Sequence, residues 1–349
     1  MVELNIIELV RIFALTGIAF GITILWTPAL THFLYKYNFG KQIRQDSNAP
    51  VFMELHKHKE GTPTMGGILI WGTVLLLMAA FWILAQIFPD SILGRFNFID
   101  RGETYLPLAA LFASAIVGLA DDLLGIFKIG PKGGGIRMRH RLTLYTAIAA
   151  IGAWWFYFKL EWTHLHIPFV GDIEIGVWYI PFFILVIVAT AFSTNEADGL
   201  DGLAGGVLML AFASYGVLAF VTGSFHLAAL TAVIIGSLLA FLWFNVPPAR
   251  FFMGDTGSMP LGVTLGIIAL LTDQALLLLL IAFIPVIESA SVIIQLISKK
   301  LRNGKKIFLS TPIHHHFEAK GWPESKVVMR FWIISAVMAG LGIIIGLIG

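Results

Sequence analysis

Residues 65–88 read MGGILIWGTVLLLMAAFWILAQIF, and this stretch decides the fold. From Ile68 to Phe88 it holds no charged side chain. A helix rises 1.5 Å per residue, so about 20 apolar residues cross a hydrocarbon core of about 30 Å. A helix on the surface of a soluble domain needs only one apolar face. This run is apolar all round and reads as a membrane span.

The rest of the chain agrees. Of its 349 residues, 58% are hydrophobic and 13% charged, against a usual ~45–50% and ~25%. Such a composition cannot clothe a soluble surface. Nine more apolar runs follow the same rule: Ile12–Leu34, Tyr105–Ala120, Leu142–Phe158, Val177–Phe192, Leu203–Thr222, Leu227–Phe244, Leu261–Leu271, Gln274–Ile297 and Val328–Leu347. The first is too long for a cleaved leader and is led by Glu3 and Glu8 rather than by a basic cluster. No repeat and no low-complexity segment divides the chain. The expectation is one all-α, integral-membrane domain over residues 1–349 with ten transmembrane helices.

Lys and Arg orient it. Placing successive loops alternately on two sides puts nineteen of the 23 basic residues on one side and leaves Arg11, Arg95, Arg101 and Lys159 on the other. The basic side is cytoplasmic, so both termini are expected outside. One outside loop, Glu161 to Glu174, alternates apolar and polar residues around Gly171 and Asp172, which predicts a small extracytoplasmic β-hairpin. The net charge of +2 offers no polyanion-binding surface, so nucleic acid is not an expected partner. The absence of cysteine excludes disulfides, thiolate metal sites and cysteine nucleophiles.

Chemistry gathers on the basic side. Asp121 and Asp122, then Asp198 and Asp201, then Asp255 fall at the membrane ends of three helices. Carboxylates held close repel unless a cation or proton compensates, and such hard oxygen ligands suit magnesium. Asp121 and Asp122 lie at a helix C-terminus, where the dipole disfavours anions; they are either a solvated loop pair or a metal-and-base pair. Asp198 and Asp201, in 195-NEADGLDG-202, precede a helix and either cap it or face a ligand with their glycines. In 252-FMGDTGS-258, Ser258 with Pro260 can start a helix without Asp255. Asn245 adds an amide, and Phe252 a ring on which a base can stack.

Two glycine-rich basic loops, Lys57 to Gly67 and Lys128 to Gly135, supply positive charge but match no phosphate-binding Walker loop. His314, His315 and His316 cannot all face one metal from a regular helix. They read as a polar wall for phosphate and sugar oxygens.

Taken together, GTPTMGG at 61–67, DD at 121–122, DGLDGLA at 198–204, FMGDTGS at 252–258 and PIHHHFEAKGWPE at 312–324 resemble the phospho-N-acetylmuramoyl-pentapeptide transferases, within the polyprenyl-phosphate N-acetylhexosamine-1-phosphate transferases. The resemblance runs almost end to end, and the histidine stretch is its most specific part. It implies transfer of phospho-N-acetylmuramoyl-pentapeptide from UDP-MurNAc-pentapeptide to undecaprenyl phosphate, giving lipid I and UMP with Mg²⁺ as cofactor. It implies a multi-pass protein of the bacterial cytoplasmic (inner) membrane with its active site on the cytoplasmic face, and it admits a homodimer.

Carried over by position, Asp121, Asp122 and Asp255 are the implied catalytic and metal-binding residues. Lys59, Thr64, Asn195, Asp198, Gly199, Leu200, Asp201, Asn245, Phe252, Gly254, His314, His315 and His316 are the implied substrate contacts. The chain departs from the family at Glu196, within what is commonly NLTDGLDG, at Gly125, where a Lys is frequent, and at 133–137. Lys128, Lys132, Arg137 and Arg139 are the substitutes at hand for phosphate contact. The histidine stretch argues against the runner-up activity, transfer of GlcNAc-1-phosphate. A transporter would set ionisable groups at mid-membrane, where only Glu288 falls, either bonded inside the bundle or near a lipid headgroup.

Overall fold

A computed structural model describes residues 5–40, 59, 61–130 and 134–349; Lys57, Lys132 and Gly133 lie outside the described residues. Each of the ten apolar runs is largely helical, nine of them centred on a single helix. Before the hairpin come α1 (Ile6–Lys36), α2 (Ile68–Ile87), α3 (Tyr105–Ile126) and α4 (Met138–Lys159). After it come α5 (Tyr179–Ala197), α6 (Leu203–Val221), α7 (Phe225–Asn245), α8 (Asp255–Leu271), α9 (Leu278–Ile281), α10 (Phe283–Leu301), α11 (Ile313–Ala319) and α12 (Glu324–Ile348).

Seven of these helices are long and apolar enough to cross a membrane, and eight if the α9–α10 pair is one span. The α4 helix opens on Arg139 and Arg141, and α8, at 17 residues, is about 25 Å long. From Thr256 to Leu270 every residue of α8 is buried. It packs between α3 and α5 as the inner helix of the bundle rather than facing lipid.

The run at Gln274–Ile297 is not one helix. A short 3-10 turn leads into α9, and α10 leaves at 87° to it. Pro285 has no N–H to give and its ring would clash with the carbonyl four residues back, so the helix breaks at Ala282 and Pro285 sits in the first turn of α10, where no N–H is needed. The buried face of α10 is largely polar, with Glu288, Ser289, Ser291, Gln295 and Ser298, while Ile294, Leu296, Ile297 and Leu301 are exposed. That inversion of the soluble pattern suits lipid outside and protein within. Leu25, Trp243 and Ile333, exposed by 79, 72 and 64%, belong to the same lipid-facing surface.

The expected hairpin forms as β1 (His164–Ile167) and β2 (Gly171–Glu174), paired antiparallel with His166 opposite Asp172. Its turn is Pro168 to Val170, and Gly171 opens the second strand rather than forming the turn. Three apolar clusters hold the bundle. One joins α1, α2, α6, α7 and α8; a second joins α3, α4, α5 and α8; a third ties α6 to α10 and α12. Because α8 is shared by the first two, its amino end is fixed from both sides.

Candidate active site

At that amino end two loops become one ribbon. Gly66 N–H donates to Phe252 O at 2.8 Å, Gly67 N–H to Met253 O at 2.9 Å, and Phe252 N–H to Pro63 O at 2.8 Å. The glycine-rich turn before α2 is thereby paired with the FMGD segment before α8. Gly254 turns the chain at φ 75°, and a Cβ there would meet Asp122 Oδ2 and Thr64 Oγ1 at 2.5 Å. Only glycine accepts both that backbone and that approach.

Both Asp122 oxygens accept from backbone. Oδ1 accepts from Asp255 N–H at 3.3 Å and Oδ2 from Thr256 N–H at 3.0 Å. It therefore caps α8 from the end of α3, supplying the acceptor that the helix's own Gly254 cannot. Asp198 does similar work, with Oδ2 accepting from Gly254 N–H at 3.1 Å. Neither Asp198 nor Asp201 caps α6, whose first turn follows Gly202 with no side-chain cap.

Asp121 and Asp255 converge on one group. Arg141 Nη2 is ion-paired with Asp121 Oδ2 and lies 2.9 Å from Asp255 Oδ2. Ile136 N–H donates to Asp121 Oδ1 at 2.5 Å, and Asn195 Nδ2 donates to Asp255 Oδ1 at 2.7 Å and to Ser258 Oγ at 3.2 Å. The side chains of Arg141 and Asp121 are 8% and 4% exposed, whereas that of Asp255 is 21% exposed. The access side of the cluster is therefore at Asp255.

Two carboxylate oxygens that share one cationic nitrogen are close enough to share one small hard cation, so Asp121 and Asp255 fit a divalent metal. Asp122, beside them, has both oxygens on the α8 amides. Among the described residues, no trio of acidic or imidazole groups here brings its ligand atoms within 4.8 Å of one another. A cation at the pair would complete its shell with phosphate oxygens and water, as magnesium commonly does.

A second cluster lies on the DGLDG loop. Lys59 Nζ is 2.6 Å from Asp201 Oδ1 and 2.5 Å from Glu324 Oε1; Glu324 Oε1 also accepts Asp201 N–H at 2.7 Å. Asn245 Oδ1 accepts Gly202 N–H at 2.9 Å and its Nδ2 donates to Phe251 O at 2.8 Å. The half-buried Phe252 ring lies 5.9 Å from Lys59 Nζ. Leu200 is buried with Leu203, Val207 and Val328, so it can offer a ligand only its backbone.

The three histidines of α11 take three different partners. His314 Nδ1 is 3.0 Å from Glu288 Oε2, His315 Nδ1 is 2.7 Å from Glu318 Oε2, and His316 Nδ1 accepts Leu309 N–H at 3.1 Å. Burial, and then the Lys320 ammonium, hold the His316 imidazole below its ordinary value, which suits that acceptor role. Glu288, fully buried, is thus bonded inside the bundle. Gly199 packs against the His314 ring so closely that a Cβ would overlap it, which joins the DGLDG loop to the histidine helix.

Lys128, Arg137 and Arg139 are exposed. The basic residue at the carboxylates is Arg141, which motif reading passes over. A periodic signal was present: Arg141, Tyr145, Ala149, Gly152 and Phe156 form the buried stripe of α4, and a charged residue on such a stripe must have a buried partner.

The chain matches the family described as Glycosyl transferase family 4 over residues 105–273, and phospho-N-acetylmuramoyl-pentapeptide-transferase signature 1 over residues 59–70. It is 35% identical to the phospho-N-acetylmuramoyl-pentapeptide-transferase of Chloroflexus aggregans, covering 98% of this chain and 91% of the relative. To the enzyme of that name from Ruegeria pomeroyi it is 38% identical over 94% of this chain and 90% of the relative, and to that of Anoxybacillus flavithermus 36% identical over 94% and 96%. The chain belongs to the phospho-N-acetylmuramoyl-pentapeptide-transferase family.

Proposed function

We propose that the protein transfers phospho-N-acetylmuramoyl-pentapeptide from UDP-MurNAc-pentapeptide to undecaprenyl phosphate, forming lipid I and releasing UMP for peptidoglycan synthesis. The observation that carries this reading is the convergence of Asp121 and Asp255 on Arg141, at the ends of helices that pack within an apolar bundle. Charge of both signs at a membrane surface suits a reaction joining a nucleotide diphosphate to a lipid phosphate. The distribution of Lys and Arg supports ten spans, termini outside and a site facing the cytoplasm, in the cytoplasmic membrane.

Mg²⁺ is the cation proposed for Asp121 and Asp255; when bound it supplies charge neutralisation for the diphosphate and for the UMP leaving group. The protein's own groups orient the partners. Asn195 fixes the rotamer of Asp255, and Asp122 fixes the backbone that carries it. Arg141 turns its fork from the carboxylates to phosphate oxygens. Phe252 stacks the uracil ring, with Lys59 beside it, and the histidine helix walls the sugar side.

In the transfer, an oxygen of undecaprenyl phosphate forms a bond to the sugar-linked phosphorus. The bond from that phosphorus to the bridging oxygen breaks, and its electron pair leaves with UMP. Asp121 accepts the proton when the lipid phosphate carries one. For Asp122, direct attack is favoured over a covalent aspartyl-phosphate by the engagement of both its oxygens with the α8 amides.

Radiolabelled UDP-MurNAc-pentapeptide and undecaprenyl phosphate, with and without Mg²⁺, test the reading on wild type and Asp255→Ala. Lipid I is expected from wild type with Mg²⁺ alone. Equal activity in the variant would overturn the metal assignment, and UMP exchange without lipid acceptor would overturn direct attack.

A further inference from the structure

The far end of α8 carries a second cluster of ligating groups. Asp255 and Asp273 bracket this 17-residue helix, so they are separated by about 25 Å along its axis. At the Asp273 end, His166, Asp172 and Asp273 bring one ligand atom each to within 4.8 Å of one another. His166 Nδ1 lies 2.7 Å from Asp172 Oδ1, and His164 Nε2 lies 3.3 Å from Asp273 Oδ2.

The fold builds this cluster from two separate elements. His164 and His166 alternate along β1 and so share a face of the hairpin, and Asp172 is the register partner of His166. Asp273 arrives from the turn after α8 with φ 56°. Helix physics gives no reason for an acid there: the dipole is negative at a C-terminus, and a left-handed residue after a helix is usually Gly or Asn. Glu174, on the same hairpin, is already engaged by Thr163 Oγ1 at 3.1 Å and Gly176 N–H at 3.2 Å. Two carboxylates drawn together with one imidazole, and a second imidazole 3.3 Å from Asp273, are a donor set suited to a borderline transition ion such as Zn²⁺, which takes His nitrogen and Asp oxygen in four-coordinate sites.

We propose that His166, Asp172 and Asp273, with His164 as the fourth donor beside Asp273, form a divalent transition-metal site that clamps the β-hairpin to the carboxyl end of α8. The site is independent of the reaction centre. Hard oxygen ligands at Asp121 and Asp255 favour Mg²⁺, whereas the imidazoles here favour Zn²⁺.

The full-length protein in detergent micelles, stripped with chelator and titrated with ZnCl₂ by calorimetry, tests the proposal. Wild type and Asp255→Ala are each expected to bind one equivalent, with a rise in melting temperature that MgCl₂ does not reproduce. His166→Ala and Asp273→Asn are expected to lose that equivalent and the rise while still forming lipid I, which shows that they fold. No zinc uptake by wild type, or undiminished uptake by both hairpin-site variants, would overturn the site and leave two His–Asp ion pairs in its place.

Discussion

Asp122 closes the amino end of the helix that begins at Asp255, its two oxygens accepting from the amides of Asp255 and Thr256. A residue expected among the metal ligands thus also serves as a cap in trans, fixing the backbone that carries Asp255. Loss of a capping acceptor costs about 1 kcal/mol. Asp122→Ala is expected to lower the melting temperature and kcat together, whereas Asp122→Asn, which keeps one acceptor oxygen, retains most of the stability. A melting temperature for Asp122→Ala equal to wild type would show that the cap carries no weight.

Arg141 separates charge from shape. Removing it leaves Asp121, 4% exposed, without the cation that compensates its burial. Breaking a buried pair in this way costs about 3–5 kcal/mol. Arg141→Ala is expected to give little folded protein on gel filtration. Arg141→Lys keeps a charge for the two carboxylates but loses the second arm of the guanidinium, whose Nη1 lies 3.4 Å from Asn195 Oδ1, so it is expected to fold and to lose activity. Full transfer activity in Arg141→Lys would rule out any need for the second arm.

The sequence made the helices legible because lipid demands long apolar runs, and it made the acidic motifs legible because helix ends give them no local purpose. What it hid depends on contacts across the chain. The break at Ala282 follows from Pro285, yet no local pattern in the sequence gives its 87° angle. The engagement of Asp122 with Thr256 joins residues 134 positions apart, and no local pattern distinguishes that cap from a metal ligand. Arg141 was readable in principle from the stripe it shares with Tyr145 and Ala149, but a basic residue beside a cytoplasmic loop is explained equally well by orientation.

Gly199 is the point where the DGLDG loop meets the histidine helix. A methyl group there would overlap the imidazole of His314, which is held on its other side by the fully buried Glu288. Overpacking of this kind costs roughly 1–3 kcal/mol. Gly199→Ala is expected to lower the melting temperature and to raise KM for the nucleotide substrate, because the displaced element is the proposed sugar wall. Pairing it with His314→Ala, which removes the overlapped ring, is expected to recover part of the stability. Strictly additive losses in the double variant would show that the two residues do not press on one another.

Glu324, the first residue of α12, binds two groups through one oxygen: the Lys59 ammonium and the Asp201 amide. Lys59 is thereby held between two carboxylates, 5.9 Å from the Phe252 ring on which the uracil is proposed to stack. Glu324→Gln keeps an acceptor for the Asp201 amide but withdraws the charge that restrains Lys59. Glu324→Ala withdraws both. Hydrogen bonds to charged groups contribute about 1.5–3 kcal/mol, or roughly tenfold and upward in a binding constant. If Glu324 positions Lys59 for the nucleotide, KM for UDP-MurNAc-pentapeptide rises at least tenfold in Glu324→Ala and less in Glu324→Gln, while KM for undecaprenyl phosphate stays unchanged. If Glu324 only competes with the nucleotide for Lys59, both substitutions lower that KM, and the positioning role is refuted.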